Sequence, residues 1–165
     1  MFEFKTDVRI FHDERGQPHE KPDDVPILWR PSGYAFIPTG DTILMVEPAC
    51  SPGVWMLPGG GIEPHEPYLD GVRRECREEL GLEVSIEPQA PLYFGEHDFY
   101  FKWTDQYLHS LVLMFFGRAP ASSFGNELPT PDPGEILHIK WLKLGELTEL
   151  NCHFVAWPLI RRLKG

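Results

Sequence analysis

Gly60–Leu82 reads GGIEPHEPYLDGVRRECREELGL, and this stretch holds a helix, both of its boundaries and three clustered carboxylates. From Tyr68 to Leu80 the apolar residues Leu69, Val72, Cys76 and Leu80 recur at spacings of three, four and four, which predicts a helix with one apolar face. Gly81 is its stop, and Pro58-Gly59-Gly60-Gly61 is a breaker cluster ahead of it. Glu75, Glu78 and Glu79 stand at i, i+3 and i+4, so on this helix they project within an arc of about 100°. Arg74 reaches Glu78 at i+4 and, one position from Glu75, points elsewhere around the helix. An ordinary solvated Glu/Arg face is the plain alternative. Three carboxylates on one narrow face are also the hard oxygen donors that Mg²⁺ takes, with room left for waters and phosphate oxygens. The apolar stripe lies beside the acidic arc, so one edge of the helix can be anchored while its neighbour faces a cleft.

Working outward, Phe2, Phe4, Val8 and Ile10 hint at an early strand, and the polar, Pro-punctuated residues 12–26 read as a loop. Ile27 to Ile37, a turn at Gly40-Asp41, and Thr42 to Val46 read as strand, turn, strand. Val54 to Leu57 is a brief apolar segment before the glycines. Beyond the helix, Leu82 to Ile86, Leu92 to Phe101, Tyr107 to Phe116 and Ile136 to Leu142 are short and rich in β-branched or aromatic residues, and read as strands. Arg118 to Glu135 is a long loop. Phe154 to Leu163 reads as a helix that Pro158 must start or kink. Strands, one helix, more strands and a terminal helix imply an α+β domain with a mixed sheet, spanning residues 1–165 without a linker.

The 165 residues suffice for a sizeable core. Seventeen prolines and fifteen glycines predict long ordered loops. The net charge of −10 argues against a sequence-independent nucleic-acid binder, because an acidic surface repels a phosphate backbone. A small anionic substrate would need a local cation, and a divalent metal is the usual source. Cys50, Cys76 and Cys152 are scattered and unpaired in spacing, which points to a reducing compartment, with cytoplasm as the default. Residues 1–15 lack the apolar core of a signal peptide. The longest apolar run, Leu111 to Phe116, is too short to span a bilayer.

The wider pattern around the three glutamates resembles the Nudix box: Gly, five residues, Glu, seven residues, Arg-Glu, an apolar residue, any residue, Glu-Glu, any residue, Gly, an apolar residue. Here Gly60, Glu66, Arg74, Glu75, Cys76, Glu78, Glu79, Gly81 and Leu82 meet it. Cys76 departs from the usual Ile, Leu or Val, but it packs as a small hydrophobe. Trp55-Met56-Leu57-Pro58-Gly59-Gly60 is similar to the strand and turn that lead into the box.

The resemblance implies a Nudix-like α/β/α sandwich with a loop–helix–loop motif, and hydrolysis of a phosphoanhydride in a nucleoside diphosphate derivative. It implies Glu75, Glu78 and Glu79 as ligands of Mg²⁺, with Mn²⁺ as a substitute, and Gly60 as a backbone-carbonyl ligand. Arg74 would orient a catalytic glutamate, Glu78 among them. Glu66, Gly59 and Gly81 would support the box. The general base is a box glutamate or an acidic residue before a late strand, where Glu135 competes with Asp132 and Glu127. Tyr100 stands near where a tyrosine marks the diadenosine polyphosphate hydrolases, so it is a candidate for base stacking, with strand packing as the alternative. Arg30 is a candidate for phosphate contact. His97 and Asp98 alternate across their strand and form no dyad, while His153 and Trp157 lie at i+4 and can pack together. The expected partner is a small nucleotide (a nucleoside triphosphate, dinucleoside polyphosphate or nucleotide sugar) rather than nucleic acid or membrane, and a homodimer is allowed. A Nudix-fold nucleotide sensor and an isomerase are the other readings; the first usually loses box glutamates, and the second would want catalytic residues not found here.

Overall fold

A computed structural model describes residues 9–88, 90–125 and 127–165. Its strands are β1 (Ile10–His12), β2 (Pro18–Glu20), β3 (Ile27–Trp29), β4 (Ser32–Phe36), β5 (Pro38–Thr39), β6 (Thr42–Pro48) and β7 (Gly59–Gly61). Helix α1 (Tyr68–Leu80) follows, then β8 (Ser85–Ile86), β9 (Tyr93–Phe101), β10 (Gln106–Arg118), β11 (Ile136–Lys143) and helix α2 (Trp157–Lys164). The spine is β10. It pairs antiparallel with β9 and β8 and parallel with β3 and β4, and the larger sheet runs β2-β1-β9-β10-β4-β7. A second sheet, β11-β6-β5, is antiparallel. This mixed-sheet α+β architecture is the one the sequence predicts.

Helix α1 has the predicted bounds and buries Val72, Cys76 and Leu80. Gly81 ends it in the left-handed conformation, φ 64°, and its N–H donates to the Arg77 carbonyl at 3.0 Å. The helix lies on β4 and β7. It can approach closely because residue 33 is glycine: a Cβ there would stand 2.5 Å from Val72 and 2.9 Å from Tyr68. The core gathers Leu44, Met45 and Met114 from the strands, Leu57 from the segment ahead of β7, and Leu159 and Ile160 from α2, all fully buried.

Several elements differ from the sequence reading. Residues 12–26, read as a loop, hold part of a hairpin: β1 and β2 pair antiparallel from Ile10↔Glu20 to His12↔Pro18. Its turn is tied by Asp13, whose carboxylate accepts the N–H groups of Arg15 (3.0 Å) and Gln17 (2.9 Å). Such strands are held by backbone pairing and leave little periodicity to read. Of the residues that hinted at an early strand, Phe2, Phe4 and Val8 lie outside the described residues, and Ile10 opens β1.

The segment Ile27 to Ile37 is two strands. Both pair with β10 at the same offset (Tyr107↔Ile27, Val112↔Ser32), and the interruption falls at Arg30-Pro31, where proline has no N–H to give the ladder. The strand read over Leu82 to Ile86 shrinks to β8. Pro158 starts α2 rather than kinking it. Among the described residues no helix is long and apolar enough to cross a membrane, and the three cysteines are free.

Candidate active site

A cavity of about 370 Å³ opens where α1, β7, the middle of β10 and the turn before β11 meet. On its helix side are Glu75 and Glu79. Glu79 accepts the Gly59 N–H at 2.8 Å. The Glu75 carboxylate rests on Gly60, where a Cβ would stand 2.6 Å from Oε2, so only glycine admits it. Burial pushes the Glu79 carboxyl up to about 8, and the charges of Glu75, Glu135 and Glu78 act in the same sense against the Gly59 hydrogen bond. Glu75 is also raised by burial, with Arg74 opposing.

Arg74 does more than reach Glu78 at i+4. Its guanidinium meets Glu78 at 3.0 Å, Glu75 at 2.9 Å, Glu66 at 2.7 and 3.1 Å, and the Gly61 carbonyl at 3.1 Å. The expectation that Arg74 points away from Glu75 is corrected. The long side chain lies over the helix toward the preceding loop, and one nitrogen is shared between the two glutamates. The Arg74 hydrogen bonds hold the Glu66 carboxyl down to about 2. Glu66 also accepts the Glu63 N–H at 2.9 Å within the loop, so its pairing with Arg74 ties that loop to the helix.

Among the described residues, no group of three His, Cys, Asp or Glu side chains is already arranged to hold a metal ion. Glu78 sits outside the cavity wall, half exposed, on Arg74. The donor chemistry nevertheless fits a hard divalent cation. Glu75 and Glu79 are carboxylates whose ionisation the site resists, with the Glu135 charge adding to the field on Glu79, and a dication would relieve both.

The other candidates divide. Arg30 lines the cavity, its guanidinium flat against Gly61, where a Cβ would meet Nε at 2.7 Å. Glu135 lines it too, on the turn into β11, with its carbonyl accepting the Ala49 N–H at 2.7 Å. Its two competitors are occupied elsewhere: Asp132 accepts the Gly134 N–H at 2.8 Å, and Glu127 pairs with His138 (2.8 Å) and Lys140 (3.4 Å). Tyr100 does not line this cavity. Its ring packs on His19 (4.4 Å) and Tyr107 (4.8 Å), and its hydroxyl donates to Asp105 at 2.8 Å. Strand alternation sends Phe99 and Phe101 to the cavity and Tyr100 to the opposite face.

His97 and Asp98 diverge as expected, His97 to Tyr93 and Asp98 to Arg9 and His109. His153 and Trp157 are joined by a backbone hydrogen bond at 3.0 Å rather than by their rings. His153 turns to Phe99 at 5.4 Å, and Trp157 faces the Lys164 ammonium.

Several cavity residues escape the sequence reading, Tyr34, Ser32, Ser110, Lys102 and His153 among them. Tyr34 is pushed up to about 12 by burial, Ser32 and Ser110 share a hydrogen bond at 3.2 Å, and burial presses His153 down to about 4. The serines and Tyr34 follow from strand alternation once the β4–β10 pairing is known; His153 has no sequence signal.

A family model described as the NUDIX domain matches residues 29–163. The chain is 37% identical over 117 residues to a protein named nucleoside triphosphatase NudI from Escherichia fergusonii, an alignment covering 69% of this chain and 78% of that one. It is 31% identical over 121 residues to one named NAD-capped RNA hydrolase NudC from Stutzerimonas stutzeri, which covers 73% of this chain but only 38% of that protein. Among solved structures, a MutT NUDIX hydrolase from Burkholderia pseudomallei superposes with a TM-score of 0.59 at 23% identity, covering 82% of this chain and 98% of the other. At that identity the superposition speaks to fold alone.

Proposed function

The chain belongs to the Nudix hydrolase family, and from that premise we propose that it hydrolyses the phosphoanhydride bond of a small nucleoside diphosphate derivative with the help of bound Mg²⁺ or Mn²⁺. The observation that carries this reading is the raised, half-buried Glu75–Glu79 pair facing a cavity beside the glycine turn. Glu75 and Glu79, with the Gly60 carbonyl, would hold the metal, and Glu78 would join them from the same helix face. When bound, the metal would neutralise charge building on the bridging phosphate and make water a better nucleophile.

The chain's own residues supply position and proton traffic. Arg74 fixes Glu75, Glu78 and the Glu66 loop relative to one another. Arg30, held against Gly61 at the wall, orients the phosphate that is not cleaved from water's side. Glu135 accepts the proton of the attacking water from the turn before β11, within the field of Glu79. The relatives' names, a nucleoside triphosphatase and an NAD-capped RNA hydrolase, support a nucleoside at one end of the substrate. The free acidic surface favours a small nucleotide over a long RNA.

A phosphate-release screen over triphosphates, dinucleoside polyphosphates, ADP-ribose, nucleotide sugars and NADH, with and without Mg²⁺, tests the reading. Metal-dependent release from one class is the expected result. In the same assay Glu79→Gln should lower kcat by at least a hundredfold while nucleotide affinity changes less; unchanged turnover would overturn the ligand assignment.

A further inference from the structure

We propose that Phe101 and Trp103, at the far end of the cavity, form the seat on which the substrate's nucleobase stacks, so that the enzyme selects nucleoside-linked diphosphates over base-free ones. This rests on the hydrolase reading above and adds to it the part of the molecule that reads the base.

Strand β9 delivers the first ring. Phe99 and Phe101 share one face of the strand, and both line the cavity. Phe99 lies nearly parallel to Phe154, with centroids 5.9 Å apart and planes 18° apart, and Phe101 continues the series on Phe99 at 6.0 Å and 28°. Near-parallel rings thus run from Phe154 through Phe99 to Phe101, and Phe101 ends that series beside the cavity. Trp103 follows at the tip of the β9–β10 hairpin. It lines the same cavity, yet its side chain is 69% exposed. A large flat apolar group left open beside a row of rings suits an occupant that is itself flat and aromatic.

The cavity is polarised in the matching direction. Along β10 its lining passes from Val112, paired near Ser32, through Ser110 to Leu108, which pairs with Phe99; the hairpin end, where Phe101 pairs with Gln106, lies beyond. At about 3.3 Å per residue this run covers roughly 20 Å, enough for a diphosphate, a ribose and a base in line. Carboxylates and Arg30 occupy one end, and Phe101 and Trp103 with Lys102 between them the other. A phosphate chain without a base could reach Lys102 at that end, but its charge gains nothing from the faces of Phe101 or Trp103.

Two readouts test this. The metal-free protein is titrated with adenosine and uridine 5′-monophosphates, following tryptophan fluorescence. Wild type should show saturable quenching. Trp103→Ala and Phe101→Ala should weaken binding about tenfold or more, the size expected for loss of a base stack, and Trp103→Phe should restore most of the affinity. With divalent metal, the ratio of kcat/KM for the best nucleotide to that for inorganic tripolyphosphate should collapse by a similar factor in the Ala variants, mainly through KM.

Equal monophosphate binding by wild type and Trp103→Ala, or an unchanged ratio, overturns the proposal while leaving hydrolysis standing. Absence of turnover on every substrate, with monophosphate binding still dependent on Trp103, would refute the hydrolase reading and leave the base seat intact. Because Trp103 stands exposed at a hairpin tip, its substitution does not threaten the fold.

Discussion

Gly33 and Gly60 face each other across β4 and β7, and the missing Cβ serves a different end at each. At Gly33 a methyl would press into Val72 and Tyr68, side chains fixed in the core. At Gly60 it would press on the Glu75 carboxylate, the far end of a flexible side chain that can swing away. Gly33→Ala should therefore lower stability by about 1–3 kcal/mol, the usual range for overpacking, read by chemical denaturation. Gly60→Ala should leave the denaturation midpoint nearly unchanged and cut turnover at least tenfold, because the displaced carboxylate is the one facing the cavity. Equal loss of stability in the two variants would refute this division.

At the scale of elements, β9 shows how alternation sorts residues that look alike in sequence. Tyr100 lies between Phe99 and Phe101 but on the other face, bound to Asp105. Tyr100→Phe should leave KM for any nucleotide within twofold of wild type and cost less than about 1 kcal/mol for one exposed hydrogen bond; a tenfold rise in KM would return Tyr100 to the site. The contrast marks what the sequence makes legible. The Leu69-Val72-Cys76-Leu80 spacing announces α1 with its bounds, because a helix half sunk in a core repeats its apolar residues at a fixed period. The glutamates are legible for the same reason. Which face of β9 meets the cavity is not, because both faces carry aromatic residues and only the β10 register decides between them. Nor does spacing choose Glu135 over Asp132 and Glu127, since those two are taken up by Gly134, His138 and Lys140 through contacts made only on folding. The β1–β2 hairpin is hidden because it is held by Asp13 and backbone pairing rather than by a buried stripe.

For the whole molecule, the buried ionisable groups set opposing pH trends in the metal-free protein. Glu79 has a folded value of about 8 against 4.5, so the folded state holds its proton longer, and stability declines as pH rises between those values. His153 has a folded value of about 4 against 6.5. Its contribution is complete above 6.5 and is lost as pH falls toward 4. The two trends offset each other between 4.5 and 6.5, leaving a net decline in melting temperature from pH 6.5 to 8. That decline should vanish in Glu79→Gln and should flatten when Mg²⁺ is added. A melting temperature in EDTA that stays level or rises over this interval in wild type would contradict the raised value for Glu79.

The position of β10 also governs when this chain can fold. Everything from Ile27 to Phe36 that pairs with it does so at a separation of eighty residues (Ile27↔Tyr107, Phe36↔Phe116), so that loop must close before the sheet gains its centre. A chain growing from the ribosome has made β4, β7 and the whole acidic helix while β10 is still unwritten. For that interval the glycine turn and its glutamates have no wall to face, and the apolar side of α1 has only β4 and β7 to lie on. Only after Phe116 emerges can β9 and β10, paired as far as Met114, present the whole edge on which β4 docks. The cavity is in this sense a late product of synthesis, assembled from a half that has been waiting and a half that arrives all at once.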